Sequence, residues 1–183
     1  LRPAPLVLRS VFERVHDTYR PLAEARGLQL RLQIDPALPI AVIADGLRLR
    51  QVLANYISNA LKYTLQGQVS CTAKAEPDGW MRVEVSDTGL GLSAEQQARL
   101  FRPFEQARAA MLESRGTLAP ASTLPSTQDI QGTGLGLSIC AELAQLMGGS
   151  VGVRSTPGTG STFWLIIPLV EQSDQGDWAA VSE

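Results

Sequence analysis

"RLRQVLANYISNALKYT", residues 48–64, reads as an amphipathic helix. At 100° per residue, Val52, Leu53, Tyr56, Ile57 and Ala60 share an apolar arc, and Gln51, Asn55, Asn59 and Lys62 fall within about 80° of one another beside it. The polar stripe borders the core instead of lying opposite it. Asparagine is a poor helix former because its amide competes for backbone hydrogen bonds. Two of them one turn apart, with a lysine after them, have two readings. One is a solvated helix edge. The other is an amide oxygen for a hard cation beside a lysine for phosphate. Asp45 is the expected cap of this helix, which runs from about 46 to 64, and Gly67 ends the element.

Upstream, residues 8–25 show apolar spacing at Val11, Val15, Leu22 and Ala25, with Pro21 as a kink point and Gly27 as a stop. "LQLRLQI" (28–34) alternates as a strand does, and "PALPIAVIAD" follows as an extended link. Downstream, "QVSCTAKA" and "WMRVEVSD" flank the turn "EPDG" as an antiparallel hairpin. A short helix is expected near 93–100. A stretch at about 105–131, rich in Ala, Ser, Thr, Gln and Pro, is too long for an ordinary connection and reads as a functional or disordered loop. "GLGLSICAELAQLM" is a helix opening on glycines, and "SVGVRST" and "GSTFWLIIPL" form a closing hairpin across "PGTG". No internal repeat is present. The elements give an α+β fold with a mixed, mostly antiparallel sheet and helices on one face.

At 183 residues and 19.7 kDa the chain suits one domain with a sizeable core. With 44% apolar and 19% charged residues it is globular, and a net charge of −2 gives no nucleic-acid footprint. No apolar run approaches the roughly 20 residues of a membrane span, and the first ten residues are too polar for a secretory signal, so direct membrane contact is not expected. The start reads as a cut through a longer protein. Cys71 and Cys140 lack metal-like spacing and read as reduced thiols at or near the core of a cytosolic domain.

"VSDTGLGLS" places Asp87, Gly89 and Gly91 just after a strand. This is either an acidic turn with permissive glycines or a fixed acceptor for an exocyclic amine, with backbone lying against a flat ring. "GTGLGLSIC" places Gly132, Gly134 and Gly136 at a helix start, where free N–H groups suit phosphate. It matches neither the dinucleotide fingerprint nor the P-loop, so it is a phosphate cradle of another kind or a structural helix start.

In order, Asn-x-x-x-Asn-x-x-Lys, Asp-x-Gly-x-Gly, Phe101-x-x-Phe104 and Gly-x-Gly-x-Gly resemble the boxes of the ATP-binding catalytic domain of sensor histidine kinases. That domain lies within the wider GHKL superfamily of gyrase-type topoisomerases and heat-shock chaperones. The resemblance runs from about residue 6 to 169. "NYISNALKYT" is similar to the N box, "DTGLGL" to the first glycine box, "LFRPFEQA" to the F box, "GTGLGLSI" to the second glycine box and "TPGTGSTFWLIIPL" to the closing strands. "FEQA" is most similar to hybrid kinases with receiver domains downstream.

The resemblance implies a two-layer α/β sandwich of the Bergerat type that binds ATP and Mg2+. It implies that Asn59 gives an oxygen to Mg2+, that Asn55 sits near the metal or its waters, that Lys62 faces the phosphates and that Tyr63 lines the nucleotide site. Asn55 and Lys62 are the implied catalytic positions. Asp87 takes the adenine amino group, with Gly89 and Gly91 against the base, and Ser161 supports that contact through water. Gly132, Gly134 and Gly136 form the phosphate-side hinge of a lid at about 105–131. Leu92, Phe104, Thr133, Leu135 and Leu137 complete the implied nucleotide contacts. The implied organisation is an upstream linker remnant at 1–5, the catalytic domain at 6–170 and a polar linker at 171–183. The implied partners are the protein's own dimerisation hairpin carrying the acceptor histidine, absent here, and a response regulator or fused receiver domain. The expected location is cytoplasmic, with a membrane anchor left open for the parent protein.

The chain departs from the pattern in its long lid, where only Arg108 and Arg115 are basic. His16, in "FERVHDTYRP", resembles a phosphoacceptor stretch but is off by one residue and lies in the first helix, so it reads as a surface or boundary imidazole. Two other functions compete with the kinase: an ATP-driven clamp of the chaperone or topoisomerase kind, and a non-catalytic nucleotide-binding module. The clamp enzymes carry a glutamate where this chain has Asn55, and an amide cannot take a proton.

Overall fold

The computed structural model describes residues 1–101 and 136–171. The elements are β1 (Ala4–Val7), α1 (Leu8–Ala25), β2 (Gln29–Ile34), β3 (Ala41–Ala44), α2 (Gly46–Tyr63), β4 (Gln68–Glu76), β5 (Trp80–Asp87), α3 (Ala94–Arg99), α4 (Gly136–Leu146), β6 (Ser150–Thr156), β7 (Gly160–Pro168) and β8 (Val170–Glu171). The expected lid at about 105–131, Arg108 and Arg115, Phe104, and Gly132 to Leu135 lie outside the described residues.

The opening helix is α2. Asp45 caps it by accepting the Arg48 amide at 3.1 Å, and the Thr64 hydroxyl closes it on the Ala60 carbonyl at 2.7 Å. Its apolar arc is buried, with Leu53, Tyr56, Ile57 and Leu61 each at most 1% exposed. Tyr56 reaches across to β7: its hydroxyl donates to the Trp164 carbonyl at 3.2 Å and its ring lies 5.6 Å from that of Phe163.

The main sheet has the order β2-β4-β5-β7-β6, with β2 and β4 parallel and every other pair antiparallel. The sheet is therefore mixed and mostly antiparallel. Alternation puts Val69, Cys71 and Ala73, then Met81, Val83 and Val85, then Phe163, Leu165 and Ile167 on one buried face. On that face α1 packs against β2 and α2, α2 against β4 and β5, and α4 against β6 and β7. The opposite face is charged: Glu84 meets Arg82 at 2.8 Å and Arg154 at 3.3 Å, and the Arg82 guanidinium lies 4.8 Å from the Trp164 ring. The β4–β5 turn holds Asp78 and Gly79 at φ 59° and 75°, the Asp-Gly chemistry of a tight hairpin.

Three expectations change. Leu22 and Ala25 are exposed; the buried side of α1 is Leu8, Val11, Phe12, Val15 and Ala23. The α1 terminus explains it. Gly27 N–H bonds Glu24 O and Leu28 N–H bonds Ala23 O, a Schellman closure that draws Ala23 and Leu28 inward. The helix is assigned without a break through Pro21. Second, "PALPIAVIAD" is not only a link. Its Ala41–Ala44 is the middle strand of a second sheet, β1-β3-β8, in which Pro5, Ile43 and Val170 are paired neighbours. Third, Ala4 and Pro5, expected as linker, belong to that sheet, and Glu171 pairs with Val42.

Burial of α2 predicts a large core penalty. Leu53→Ala should cost about 2–5 kcal/mol, read as a lower urea midpoint at unchanged slope.

Candidate functional site

The C-terminal end of α2 meets the loop that leaves β5, and Asp87 at the end of β5 pairs with Ser161 at the start of β7. Asp87 closes β5, and in register it faces Val69 on β4 and Ser161 on β7. Alternation turns Asp87 and Ser161 to the helix-covered side, at the rim where the apolar layer stops. The Asp87 Oδ1 accepts the Gly89 amide at 2.8 Å, which fixes the carboxyl on its own turn. Burial pushes the Asp87 carboxyl above the usual aspartate range, against the pull of the Gly89 and Ser161 backbone N–H groups. A half-buried carboxyl short of solvation favours a further hydrogen-bond donor.

The loop after Asp87 needs its glycines. A Cβ on Gly89 would strike the Tyr63 carbonyl at the end of α2. Gly91 has φ 68°, and a Cβ there would strike the Thr156 carbonyl. The backbone is thus pressed between α2 and the β6–β7 turn, where Gly158 N–H donates to Leu90 O at 2.7 Å. Leu92 is partly buried against the core.

The two asparagines of the stripe do different things. The Asn55 amide nitrogen donates to Gly136 O at 3.3 Å, and its oxygen would lie 3.0 Å from a Cβ at Gly136. Asn55 therefore joins α2 to the first turn of α4, whose Leu137 is buried. Asn59 is half-buried, and its side chain forms no hydrogen bond among the described residues. One turn on, the Lys62 ammonium lies 5.1 Å from the Tyr63 ring centroid, and Tyr63 is 53% exposed. Among the described residues no group of three acidic, histidine or cysteine side chains could hold a metal. A cation here would take one amide oxygen from Asn59 and the rest of its shell from phosphate and water, which is how Mg2+ is usually held.

The structure thus groups Tyr63, Asp87, Gly89, Gly91 and Ser161 about one loop, with Asn59 and Lys62 on the same helix as Tyr63, and places Asn55, Gly136 and Leu137 on the adjoining α2–α4 seam. Sequence reasoning missed Ser155, which hydrogen-bonds Ser161 (Oγ to Oγ, 2.8 Å) and accepts the Leu92 amide at 2.7 Å. The available signal was a hydroxyl at the inward position of the β6 alternation Val151, Val153, Ser155. A cavity of about 740 Å³ at the other end of α2, lined by Arg2, Arg14, Arg48 and Arg50 around Asp45, shares no residue with this arrangement.

Burial pushes the thiols of Cys71 and Cys140 up to about 12, which leaves both protonated and unreactive. The His16 Nε2 bonds Leu30 O at 3.2 Å, between α1 and β2, so His16 is a boundary imidazole. No helix among the described residues is long and apolar enough to cross a membrane.

Residues 44–171 match the profile of the histidine kinase-, DNA gyrase B- and HSP90-like ATPases. The virulence sensor protein BvgS of Bordetella bronchiseptica is 40% identical over 96% of the chain and 13% of its own length. The sensor histidine kinase RcsC of Escherichia coli K12 is 36% identical over 92% of the chain and 16% of its own length. The chain therefore spans about one-seventh of these relatives. Among solved structures, full-length ShkA in complex with AMPPNP superposes with a TM-score of 0.77 at 32% identity, over 94% of this chain and 32% of that one.

Proposed function

This chain belongs to the histidine kinase-, DNA gyrase B- and HSP90-like ATPase family, and from that premise we propose that it is the ATP-binding catalytic domain of a sensor histidine kinase. The domain takes in residues 6–170, together with Ala4, Pro5 and Glu171 through the small sheet. It binds ATP with Mg2+ and presents the γ-phosphate to a histidine on a separate helical hairpin of the same protein. A response regulator or fused receiver domain then takes the phosphoryl group, in the cytoplasm.

The observation that carries the reading is Asp87: a carboxylate with raised proton affinity, held by Gly89 and facing Ser161 beside glycine-thinned backbone. These groups suit a flat base with an exocyclic amine. Asn59 offers its amide oxygen toward the cation, and Lys62 offers a positive charge toward phosphate one turn away. Bound Mg2+ would neutralise phosphate charge. The chain's own residues bind and orient the nucleotide, and the acceptor imidazole is its own nucleophile, so positioning and electrostatics supply the rate. No protein base is needed, which fits an amide at Asn55. An ATP clamp needs a base there, and the Asn55 amide is already engaged with Gly136.

The test is γ-labelled ATP with this chain alone and then with the hairpin of the same protein added. The chain alone should bind ATP, carry no label because His16 lies in α1 and is not the acceptor, and hydrolyse ATP slowly because general-base help worth about 10²–10⁴-fold is missing. With the hairpin, acid-labile label should appear on the hairpin. Label on the isolated chain that vanishes in His16→Ala, or fast turnover that depends on Asn55, would overturn the proposal.

A further inference from the structure

Ser155 stands where three strands and a loop meet. On β6 it is paired in register with Ser161 of β7, which is paired in turn with Asp87 of β5. The three side chains therefore form one row across the sheet, on the helix-covered side. A serine hydroxyl has one proton to give and two lone pairs. At Ser155 all three are used. The proton goes to Gly160 O at 2.9 Å, since a carbonyl can only accept. One lone pair takes the Leu92 amide at 2.7 Å, since an amide N–H can only donate. The remaining bond, to Ser161 Oγ at 2.8 Å, must then be donated by Ser161.

This proton count has two consequences. Ser161 has given away its only proton, so beside Asp87 it offers lone pairs alone. The rim is then lined by two acceptors, a carboxylate and a hydroxyl oxygen. Such a pair favours a base edge, or a water bound to one, that brings donors, and disfavours an edge carrying a carbonyl there. Second, the loop over the site is tied at both polar groups of Leu92. Its N–H goes to the Ser155 hydroxyl, and its carbonyl accepts Gln97 Nε2 at 3.0 Å. That same Gln97 nitrogen reaches Ser155 O at 3.0 Å.

We propose that Ser155 is the positioning residue of the base-recognition site: it holds the 89–92 loop against β6 and orders the Ser161 hydroxyl so that Asp87 and Ser161 act together as acceptors. The proposal rests on the nucleotide-binding reading above. Ser155 itself is saturated and does not touch the base. It acts through Leu92 and Ser161.

The full chain is tested as Ser155→Ala, Ser155→Thr and Arg154→Ala. Arg154 is an exposed neighbour on β6 whose bond runs to Glu84 on the far face of the sheet. Two readouts are used: amide exchange at Leu92 without nucleotide, and competition between ATP and GTP by calorimetry with Mg2+. Ser155→Ala should speed Leu92 exchange and weaken ATP binding by about tenfold, with GTP affected less, so the preference for ATP shrinks. Ser155→Thr, which keeps the hydroxyl, should restore both, and Arg154→Ala should move neither. An equal loss of ATP and GTP affinity in Ser155→Ala, or unchanged Leu92 exchange, would overturn the proposal. A wild-type chain that binds no ATP sinks the nucleotide reading itself, and the assigned base role with it, whereas ATP binding by wild type with an unmoved preference in Ser155→Ala sinks only the role of Ser155.

Discussion

Asn59→Ala is expected to abolish magnesium-dependent nucleotide binding while the domain stays folded. Asn59 is half-buried on α2 and has no hydrogen-bond partner among the described residues, so truncation leaves no buried group unpaired. Alanine is also the better helix former, by a few tenths of a kcal/mol. The loss should therefore fall on the ligand. An interaction with a charged group is worth about 1.5–3 kcal/mol, up to roughly a hundredfold in affinity. Calorimetry with and without Mg2+ separates the terms. Wild type should gain affinity from the ion and the variant should not. Equal gain in both would remove Asn59 from the metal's neighbourhood.

Asp87→Asn should show the opposite pairing of effects: weaker binding and a more stable fold. A charged acceptor to an amine is worth about 1.5–3 kcal/mol, so ATP affinity should drop roughly ten- to a hundredfold. Burial raises the Asp87 carboxyl, so the folded state holds its proton to higher pH than the unfolded chain does. Stability therefore falls as pH rises through the window between the ordinary aspartate value and the raised one, and the penalty persists at neutral pH. Asparagine keeps an oxygen for the Gly89 amide and removes the penalty. Nucleotide affinity in wild type should run the other way, rising with pH across that window as the carboxylate forms. Thermal melts against pH for both proteins, with ATP titrations alongside, measure both slopes. A variant that melts lower than wild type and still prefers ATP to GTP would place Asp87 in the fold and not in the site.

The helix α2, both hairpins and the strand β2 were legible because strong local signals agreed, whereas the parallel pairing of β2 with β4 was not. Asp45 caps where a cap is needed, the 3.6-residue period runs unbroken from Leu49 to Leu61, and Asp78-Gly79 supplies the turn between two alternating strands. The small sheet was not legible. Its strands "APLV", "AVIA" and "VE" are too short to show a period, and Pro5 argues against a strand wherever the edge is unknown. The buried side of α1 was misplaced at its last turn because the closure at Gly27 sets which side chains turn inward, and that depends on Leu28 beyond the helix. At the site, Asn59, Asp87 and the glycines stood out because polar or small residues interrupt an apolar pattern. Ser155 did not, because a serine before Thr-Pro-Gly reads as turn chemistry. Its importance lies in bonds to Leu92 and Gly160, which only the folded chain brings together.

The small sheet also sets how the domain would join a longer polypeptide. β1 and β8 flank the same strand, β3, so the backbone enters near Ala4 and leaves near Glu171 two strand spacings apart, roughly 10 Å. A unit whose way in and way out nearly touch can be spliced between other modules without changing the reach between them, like a side loop on a continuous tether. Tension applied between Ala4 and Glu171 would load the β1–β3 and β3–β8 pairings first, with the β8 contact only two residue pairs long.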